Sequence, residues 1–391
     1  MLNLKFKNAL RNAKVRMRIS GSTLNRLQSP ALPENLGSAE RVVYEYRTYK
    51  HAKHLFLLGF LALFFILIGL TLGIGAYSIS FTEVYKIIFD SLWEWIRNWN
   101  WGEVETIAES VVWDQRMPQT LTAIFVGIGL AVAGTAMQSM MKNPLADPYT
   151  TGISSGAAFG ATLAITMGIS VVSGYFGRII NSFIFAMVPA LLILLLSRYR
   201  RPSPAMMILT GISIMYIFNA VQSFMMLRAD PNAASAVYTW TVGSITTTGW
   251  SSLPFIIIVV IVGSVAIQLL TKTLNAMNSG DSYAKSLGID VDGVRIVTMI
   301  IVSLLAAGIV SFTGIIGFVG LVAPHIARIF VGSDNRILVP AAALMGACLM
   351  IFADITTYFI SPFELPVGIV TALIGGPLFM ILILRQKKEI W

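Results

Sequence analysis

The stretch that decides the fold lies at residues 114–148 and reads DQRMPQTLTAIFVGIGLAVAGTAMQSMMKNPLADP. Pro118 suits the first turn of a helix, because a proline there removes no hydrogen bond that the helix needs. The chain from Pro118 to Met141 is almost wholly apolar and would form about 36 Å of helix, enough to cross a bilayer. Asn143 and Pro144 form a turn that stops this helix at the cytoplasmic face, since a residue before proline avoids helical backbone angles.

The composition extends this interpretation to the whole chain. Of the 391 residues, 56% are apolar and 12% are charged, whereas a soluble domain carries about 25% charged residues. We therefore predict an all-α, polytopic membrane protein. Apolar length predicts ten spans, at 55–77, 118–141, 150–168, 179–197, 205–227, 253–271, 295–311, 315–331, 338–359 and 365–384.

The basic residues are distributed unequally between the predicted loops. If the N-terminus lies in the cytoplasm, 23 of the 28 Lys and Arg fall on the cytoplasmic side, as the positive-inside rule requires. Both termini are therefore predicted to be cytoplasmic, and topology explains the net charge of +9 without nucleic acid. We expect a basic, partly disordered extension at 1–54, a membrane domain at 55–385 and a short cytoplasmic tail at 386–391.

The longest predicted outer loop, 78–117, carries five tryptophans. Indole rings favour the headgroup region of a bilayer, so a short interfacial helix is expected around Thr82–Trp99. A site at which these rings stack on a ligand is the alternative.

The sequence lacks motifs for chemistry within the chain. It has no GxxxxGK[ST] phosphate loop and no HxxxH or HExxH pair of histidines, and its single cysteine, Cys348, lies in an apolar run. Asp354, the one acidic residue inside a predicted span, is expected to be a hydrogen-bonded structural group rather than an ion relay. We therefore expect neither an enzyme nor a metal site, and no cofactor bound by this chain. A partner would then have to supply the energy for transport.

The loop at 272–295 is the best candidate for contact with such a partner. Its apolar residues recur in a pattern typical of two short helices broken at Ser279–Gly280. Asp281 is expected to cap the second helix and Gly288 to end it. Short helices across a membrane face would form a rigid lever for a soluble partner. An ordinary structured loop is the alternative.

Seven motifs, which occur in order along the chain, carry a family resemblance. They are RMPQ at Arg116–Gln119, QSMMKNPLADP at Gln138–Pro148, GDSYAKSLG at Gly280–Gly288, GIIGFVGLVAPHIAR at Gly314–Arg328, GSDNR at Gly332–Arg336, AD at Ala353–Asp354 and ELPVGIVTALIGGPLF at Glu364–Phe379. Over residues 55–385 the chain thus resembles the permease subunit of the type II, binding-protein-dependent ABC importers for vitamin B12, ferric siderophores and haem.

The resemblance implies a ten-helix subunit in the inner membrane of a bacterium or archaeon. It would pair with a second copy or a related permease, above two ATPase subunits that bind ATP and Mg and below a substrate-binding protein. The family's coupling helices imply contact with the ATPase for Gly280, Asp281, Ala284, Leu287 and Gly288. Its transport pathway runs along the fifth helix, 205–227, whose polar or adaptable residues are Gly211, Ser213, Asn219, Gln222, Ser223 and Met225.

The resemblance also implies docking of the binding protein at the outer face, where the chain departs from the family pattern. The family has arginines at the positions of Arg116, Gln119 and Tyr358, and only Arg116 keeps the charge here. Glutamine and tyrosine still form hydrogen bonds, without charge assistance. Exposed ion pairs contribute about 0–1 kcal/mol each, so we expect docking through altered contacts.

The expected cargo is a bulky metal chelate: a ferric siderophore first, then haem or cobalamin. A small oxyanion such as molybdate is an alternative. The lever at 272–295 would shift when ATP closes the ATPase pair, and the helix 205–227 would gate the pathway by alternating access. An ion-coupled secondary transporter and a structural membrane protein without cargo are the rival interpretations.

Overall fold

The computed structural model describes residues 38–75, 77–98, 106–360 and 365–385, and helices dominate all four ranges. The all-α prediction is confirmed. In chain order the helices are α1 (Ser38–Gly73), α2 (Phe81–Asn98), α3 (Ile107–Met141, π-helical at Val111–Arg116), α4 (Ile153–Met167), α5 (Tyr175–Ser197), α6 (Pro204–Met226), α7 (Pro231–Val242), α8 (Leu253–Asn278), α9 (Asp281–Ser286), α10 (Val291–Thr313), α11 (Val319–Val331), α12 (Asn335–Ile360) and α13 (Val367–Arg385).

Ten of these helices correspond to the ten predicted spans. Seven are long and apolar enough to cross a membrane, namely part of α1 and all of α3, α5, α6, α8, α10 and α12. The other three, α4, α11 and α13, are shorter apolar helices. The seventh span was expected to be short at 295–311. It is 23 residues long because α10 begins at Val291, where the Asp290 side chain accepts a hydrogen bond from the amide of Gly293.

Two further boundaries differ from the predicted ones. α1 begins at Ser38, so the chain is already helical before the first predicted span, while residues 1–37 lie outside the described part of the chain. α8 continues to Asn278 rather than stopping at 271, because Leu274 and Met277 extend its buried face past the predicted membrane boundary.

Helix α7 was not predicted, although its signals are in the sequence. Pro231 occupies the first turn, and the side chain of Asp230 accepts hydrogen bonds from the amides of Asn232 and Ala233. Gly243 closes the helix with a positive φ of 78°. A search by apolar length overlooks a capped helix of twelve residues with two threonines and an asparagine.

Helix α3 is the centre of the bundle and packs against α8, α10, α11 and α12. Its neighbours approach closely at two glycines. A methyl group at Gly127 would overlap the backbone carbonyl of Gly346 in α12, and one at Gly134 would overlap that of Gly320 in α11. Small residues permit such close helix packing in membranes, which places the opening stretch of the sequence in the core of the fold.

Helices α6 and α8 lie at the periphery of the subunit. In the most apolar windows of these helices only 17% and 22% of the residues are buried. The exposed side chains of α6 are large and apolar, among them Leu209, Tyr216, Ile217 and Phe224. A surface of this kind requires lipid or a second membrane-embedded chain around it.

Candidate coupling site and transport surfaces

The predicted lever consists of one short helix rather than two. α9 spans Asp281–Ser286, and the residues expected to form the first helix are the last turns of α8 instead. The prediction of a break at Ser279–Gly280 is confirmed, since α8 ends at Asn278 and Gly280 has a φ of 128°.

Gly288 follows the end of α9 and closes it. The amide of Gly288 donates to the carbonyl of Lys285, and the amide of Ile289 donates to that of Ala284. These two bonds form a Schellman motif around a left-handed glycine, whose φ is 80° here. Gly280 and Gly288 therefore set the backbone at both ends of the lever.

Asp281 does not cap α9, contrary to the sequence expectation. Gly280 holds the cap position without a side-chain bond, and the Asp281 carboxylate accepts hydrogen bonds from Lys142 Nζ at 2.6 Å and from the Arg295 guanidinium at 3.2 and 3.3 Å. Burial acts to raise the pKa of Asp281, but the hydrogen bonds and charges of Lys142 and Arg295 outweigh it and hold that pKa below its ordinary value. The side chain anchors the lever electrostatically.

The remaining lever residues divide into an anchoring and an exposed group. Ala284 is fully buried and packs with Met277 and Val291, so its contacts lie within the subunit. Leu287 is 57% exposed and Tyr283 is 52% exposed. Exposed apolar side chains on a rigid helix are what a partner protein could bind. Tyr283 is one of the apolar residues of this loop, and sequence reasoning missed it as a contact residue because the family motif does not single it out.

The turn after α3 supplies one of the anchors. α3 ends at Met141, and Lys142 takes a left-handed conformation with a φ of 51°. The side chain of Asn143 accepts a hydrogen bond from the amide of Leu145 at 2.9 Å, which holds the turn through Pro144. Lys142 can therefore reach Asp281 from the end of the central helix.

Arg116, the last residue of the π-helical stretch in the first half of α3, is buried. Its guanidinium donates to the carbonyl of Leu72 at 2.7 Å and to the carbonyl of Tyr77. Tyr358 lies within electrostatic reach of Arg116, and Gln119 is half-buried. The structure thus brings the three predicted docking residues to one end of the bundle. It differs from the expectation in that the Arg116 guanidinium donates to backbone carbonyls of the same subunit rather than being exposed to a partner.

The predicted pathway residues do not share one face of α6. Ser213, Asn219 and Ser223 are exposed, Gln222 is half-buried, and Gly211 and Met225 are buried inside the subunit. Gly211 is buried because the backbone of Thr151 packs directly against it. Gly211 and Met225 are therefore packing residues, and the exposed three are the remaining candidates for a pathway.

The predicted tryptophan-bearing helix is present as α2. It packs against α1, where the Tyr85 hydroxyl donates to the carbonyl of Phe65. Trp93 is exposed and stacks on Phe89 with the ring centroids 6.4 Å apart. Trp99 and Trp101 lie outside the described residues. An exposed aromatic pair on an amphipathic helix is typical of a membrane interface.

Asp354 forms a structural hydrogen bond between two helices. Its carboxylate accepts a hydrogen bond from the hydroxyl group of Thr71 at 2.8 Å, and both side chains are buried between α1 and α12. Among the described residues, no cluster of three His, Cys, Asp or Glu side chains could hold a metal ion. Cys348 is buried as well.

Comparison with known proteins decides the family. Residues 61–385 match the FecCD transport family. The chain belongs to this family. It is 33% identical to the hemin transport system permease protein HmuU of Yersinia pestis over 85% of this chain and 96% of that protein. It is 32% identical to the iron(3+)-hydroxamate import system permease protein FhuB of Bacillus subtilis (82% and 80% covered). Identity is also 32% with the molybdate import system permease protein MolB of Haemophilus influenzae (85% and 96% covered).

A solved structure supports the same fold for this FecCD family member. It was described as an inward-facing conformation of a metal-chelate type ABC transporter, and it superimposes with a TM-score of 0.74 at 31% identity. The match covers 85% of this chain and 99% of the other. The chain is therefore a multi-pass ABC transporter permease with the type II importer fold.

Proposed function

We propose that this FecCD protein is the membrane-spanning subunit of an importer that carries a bulky metal chelate, driven by ATP hydrolysis on a separate subunit. The single observation that carries the proposal is the lever. α9 presents Tyr283 to the surface, the next residue after the helix, Leu287, is exposed as well, and Asp281 anchors α9 to the bundle. Because α9 is anchored, a partner that binds it could displace the helix bundle, whereas a loosely held loop would move by itself.

The orientation follows from the charges. The ends of the bundle that carry Lys142, Arg200, Arg201, Lys285 and Arg295 would face the cytoplasm, as the positive-inside rule requires. The ATPase pair, with its ATP and Mg, would then bind α9 from the cytoplasm, and a substrate-binding protein would dock near Tyr358 and Gln119. Both chain termini would be cytoplasmic, in the inner membrane of the cell.

A second copy of the chain, or a related permease, would cover α6. The helix is apolar and largely exposed, and Ser213, Asn219 and Ser223 add hydroxyl and amide groups to its exposed side. Two such faces opposite each other would enclose a pathway of mainly apolar character. Such a lining suits a large chelate better than a bare ion.

The cargo is proposed by relationship. Relatives named for hemin and iron(3+)-hydroxamate import, together with the metal-chelate type transporter, favour a ferric siderophore, with haem next and cobalamin behind. Molybdate is a second candidate, favoured by the relative named for its import. The uptake rates of radiolabelled ferric hydroxamate, hemin and molybdate, measured in the same proteoliposomes, would show which of these cargoes is preferred.

The decisive experiment reconstitutes the chain with its ATPase and binding protein in proteoliposomes. We expect chelate uptake that requires ATP and does not depend on a proton gradient. Uptake by this chain alone with a proton gradient would instead establish the ion-coupled alternative, against which the hydrogen-bonded Asp354 also argues.

The lever is tested by Tyr283→Asp. A charge at this exposed apolar position should weaken binding of the ATPase by at least about tenfold, as truncation of central interface residues does. Tyr199→Asp is the matched control, because Tyr199 is an exposed tyrosine outside the lever, between α5 and α6. Equal retention of the ATPase by both variants on affinity purification would contradict the proposed role of α9. Loss of uptake after replacement of residues 281–288, with the protein still made and inserted, would argue against the rival interpretation of a structural membrane protein without cargo.

A further inference from the structure

Arg295 stands out as a buried cation that joins three separate segments. Its side chain is 3% exposed and belongs to the first turns of α10. One terminal nitrogen donates to the carbonyl of Pro202 at 2.8 Å, and the other contacts both carboxylate oxygens of Asp281 at 3.2 and 3.3 Å. Asp292, one turn before Arg295 in the same helix, completes the charge balance at 3.7 Å.

Two of the partners of Arg295, Asp281 and Pro202, belong to different moving parts of the subunit. Asp281 is the first residue of α9, the lever. Pro202 is buried and directly precedes Ser203, whose hydroxyl accepts the hydrogen bond from the amide of Met206 that caps α6. The guanidinium therefore spans the gap between the lever and the first turn of the exposed helix.

Arginine suits this position for a physical reason. Its guanidinium is a rigid, planar fork whose donors point in fixed directions, whereas a lysine carries a single point charge on a flexible stem. A buried cation that loses one of its partners is costly, because the remaining charge is not compensated. A displacement of Asp281 must consequently carry Arg295 with it, and the hydrogen bond to Pro202 passes the displacement on to α6.

We propose that Arg295 is the positioning residue that transmits movement of the lever α9 to the start of α6. This inference rests on the proposed function, since it assumes that α9 receives the ATPase. Lys142 adds a second, more exposed contact to the same carboxylate and ties the lever to α3. Arg295 differs from Lys142 because it alone of the two also contacts the segment before α6.

The test compares Arg295→Lys with Arg336→Lys in the complete reconstituted complex. Arg336 is an exposed arginine in the first turn of α12, so the same substitution there removes the fork without touching the link. The measured quantity is the amount of ATP hydrolysed per chelate imported. We expect this ratio to rise about tenfold in Arg295→Lys, with ATPase binding retained, and to be unchanged in Arg336→Lys.

A second variant guards against a simple folding defect. Asp281→Asn removes the lever's charge from a half-buried position and should raise the same ratio. The double variant should be no worse than the more severe single one, because both act on one link. If uptake and ATP hydrolysis fell in proportion, or if the effects of the two substitutions were additive, the inference would be overturned and Arg295 would be a structural residue. If the unaltered complex shows no ATP-driven uptake, the proposed function itself fails.

Discussion

Helices α3 and α6 are almost equally hydrophobic, yet they occupy opposite environments. Their mean hydropathies over the most apolar window are 1.9 and 1.7, but 83% of that window is buried in α3 and 17% in α6. Hydrophobicity places a helix in the membrane without saying whether it faces protein or lipid, since lipid tails are as apolar as a protein core.

Side-chain size distinguishes the two helices where hydropathy does not. α3 meets its neighbours at Gly127 and Gly134, where the backbones of two helices touch. The exposed side of α6 carries large side chains such as Tyr216 and Phe224. Close packing between helices is the main attraction available inside a membrane, so α3 holds the subunit together while α6 is left for another partner.

The largest effect should come from adding a side chain to the central helix. Gly134→Leu would force its side chain into the backbone of Gly320, and overpacking of this kind should reduce the free energy of unfolding by more than about 3 kcal/mol. Size-exclusion chromatography in detergent and thermal unfolding would measure the loss. We expect little or no monodisperse protein.

The matched control is Ala220→Leu, on the exposed side of α6. There the added side chain enters open space, and the subunit should fold with an unchanged unfolding temperature. Equal destabilisation of the two variants would remove the distinction between a packed and an exposed helix.

A smaller effect should appear in chemical accessibility along α6. In a Cys348→Ala background, Asn219→Cys should react with a thiol reagent about ten times faster than Met225→Cys, because reactivity follows exposure. Labelling rates in detergent-solubilised single subunits would test this. If α6 lines a pathway between two copies, assembly should slow labelling at 219 and leave 225 unchanged. Comparable rates at both positions in the single subunit would contradict the assigned face.

The smallest effect concerns the ion pairs of Asp281 with Lys142, which follows α3, and with Arg295, which contacts the segment before α6. Because the pKa of Asp281 lies below its ordinary value, its stabilising contribution is present above the unfolded value of about 4 and is lost only as pH falls through the lowered one. A spin label on Ser282→Cys should therefore keep the same mobility from pH 8 to pH 5.5. When Asp281→Asn is added to the labelled variant, the mobility of the label should rise over this whole pH range. If the mobility of the label changed with pH while Asp281 is present, the assigned ion pairs would be wrong.

Most of the helices could be predicted because a membrane leaves few alternatives. A long apolar run must satisfy its own backbone hydrogen bonds, and a helix does so within one segment. α7 escaped prediction because its evidence is a cap at Asp230 and a glycine at 243 rather than hydrophobic length. The end of α8 was misplaced for the related reason that Leu274 and Met277 pack on protein beyond the predicted span.

The position of the candidate coupling site could be predicted from the sequence, but the contacts between its residues could not. The segment Gly280–Gly288 carries recognisable helix-ending glycines, so its position was predictable. Arg295 and Lys142 were missed as partners of Asp281, because a loop arginine and a lysine after a span look like ordinary topological charges. Arg116 is the converse case: the family resemblance implied a docking contact, and folding directs its guanidinium to the carbonyls of Leu72 and Tyr77.

The sequence alone determined that this chain is a helical membrane protein, where its spans lie and which family it resembles. Those properties depend on local composition, length and motif order, and each can be read along one dimension. The tertiary structure decided which apolar helix is central and which polar residue serves as anchor. Those outcomes depend on contacts between segments far apart in the chain, such as Gly134 with Gly320 and Arg295 with Pro202, which local sequence does not encode.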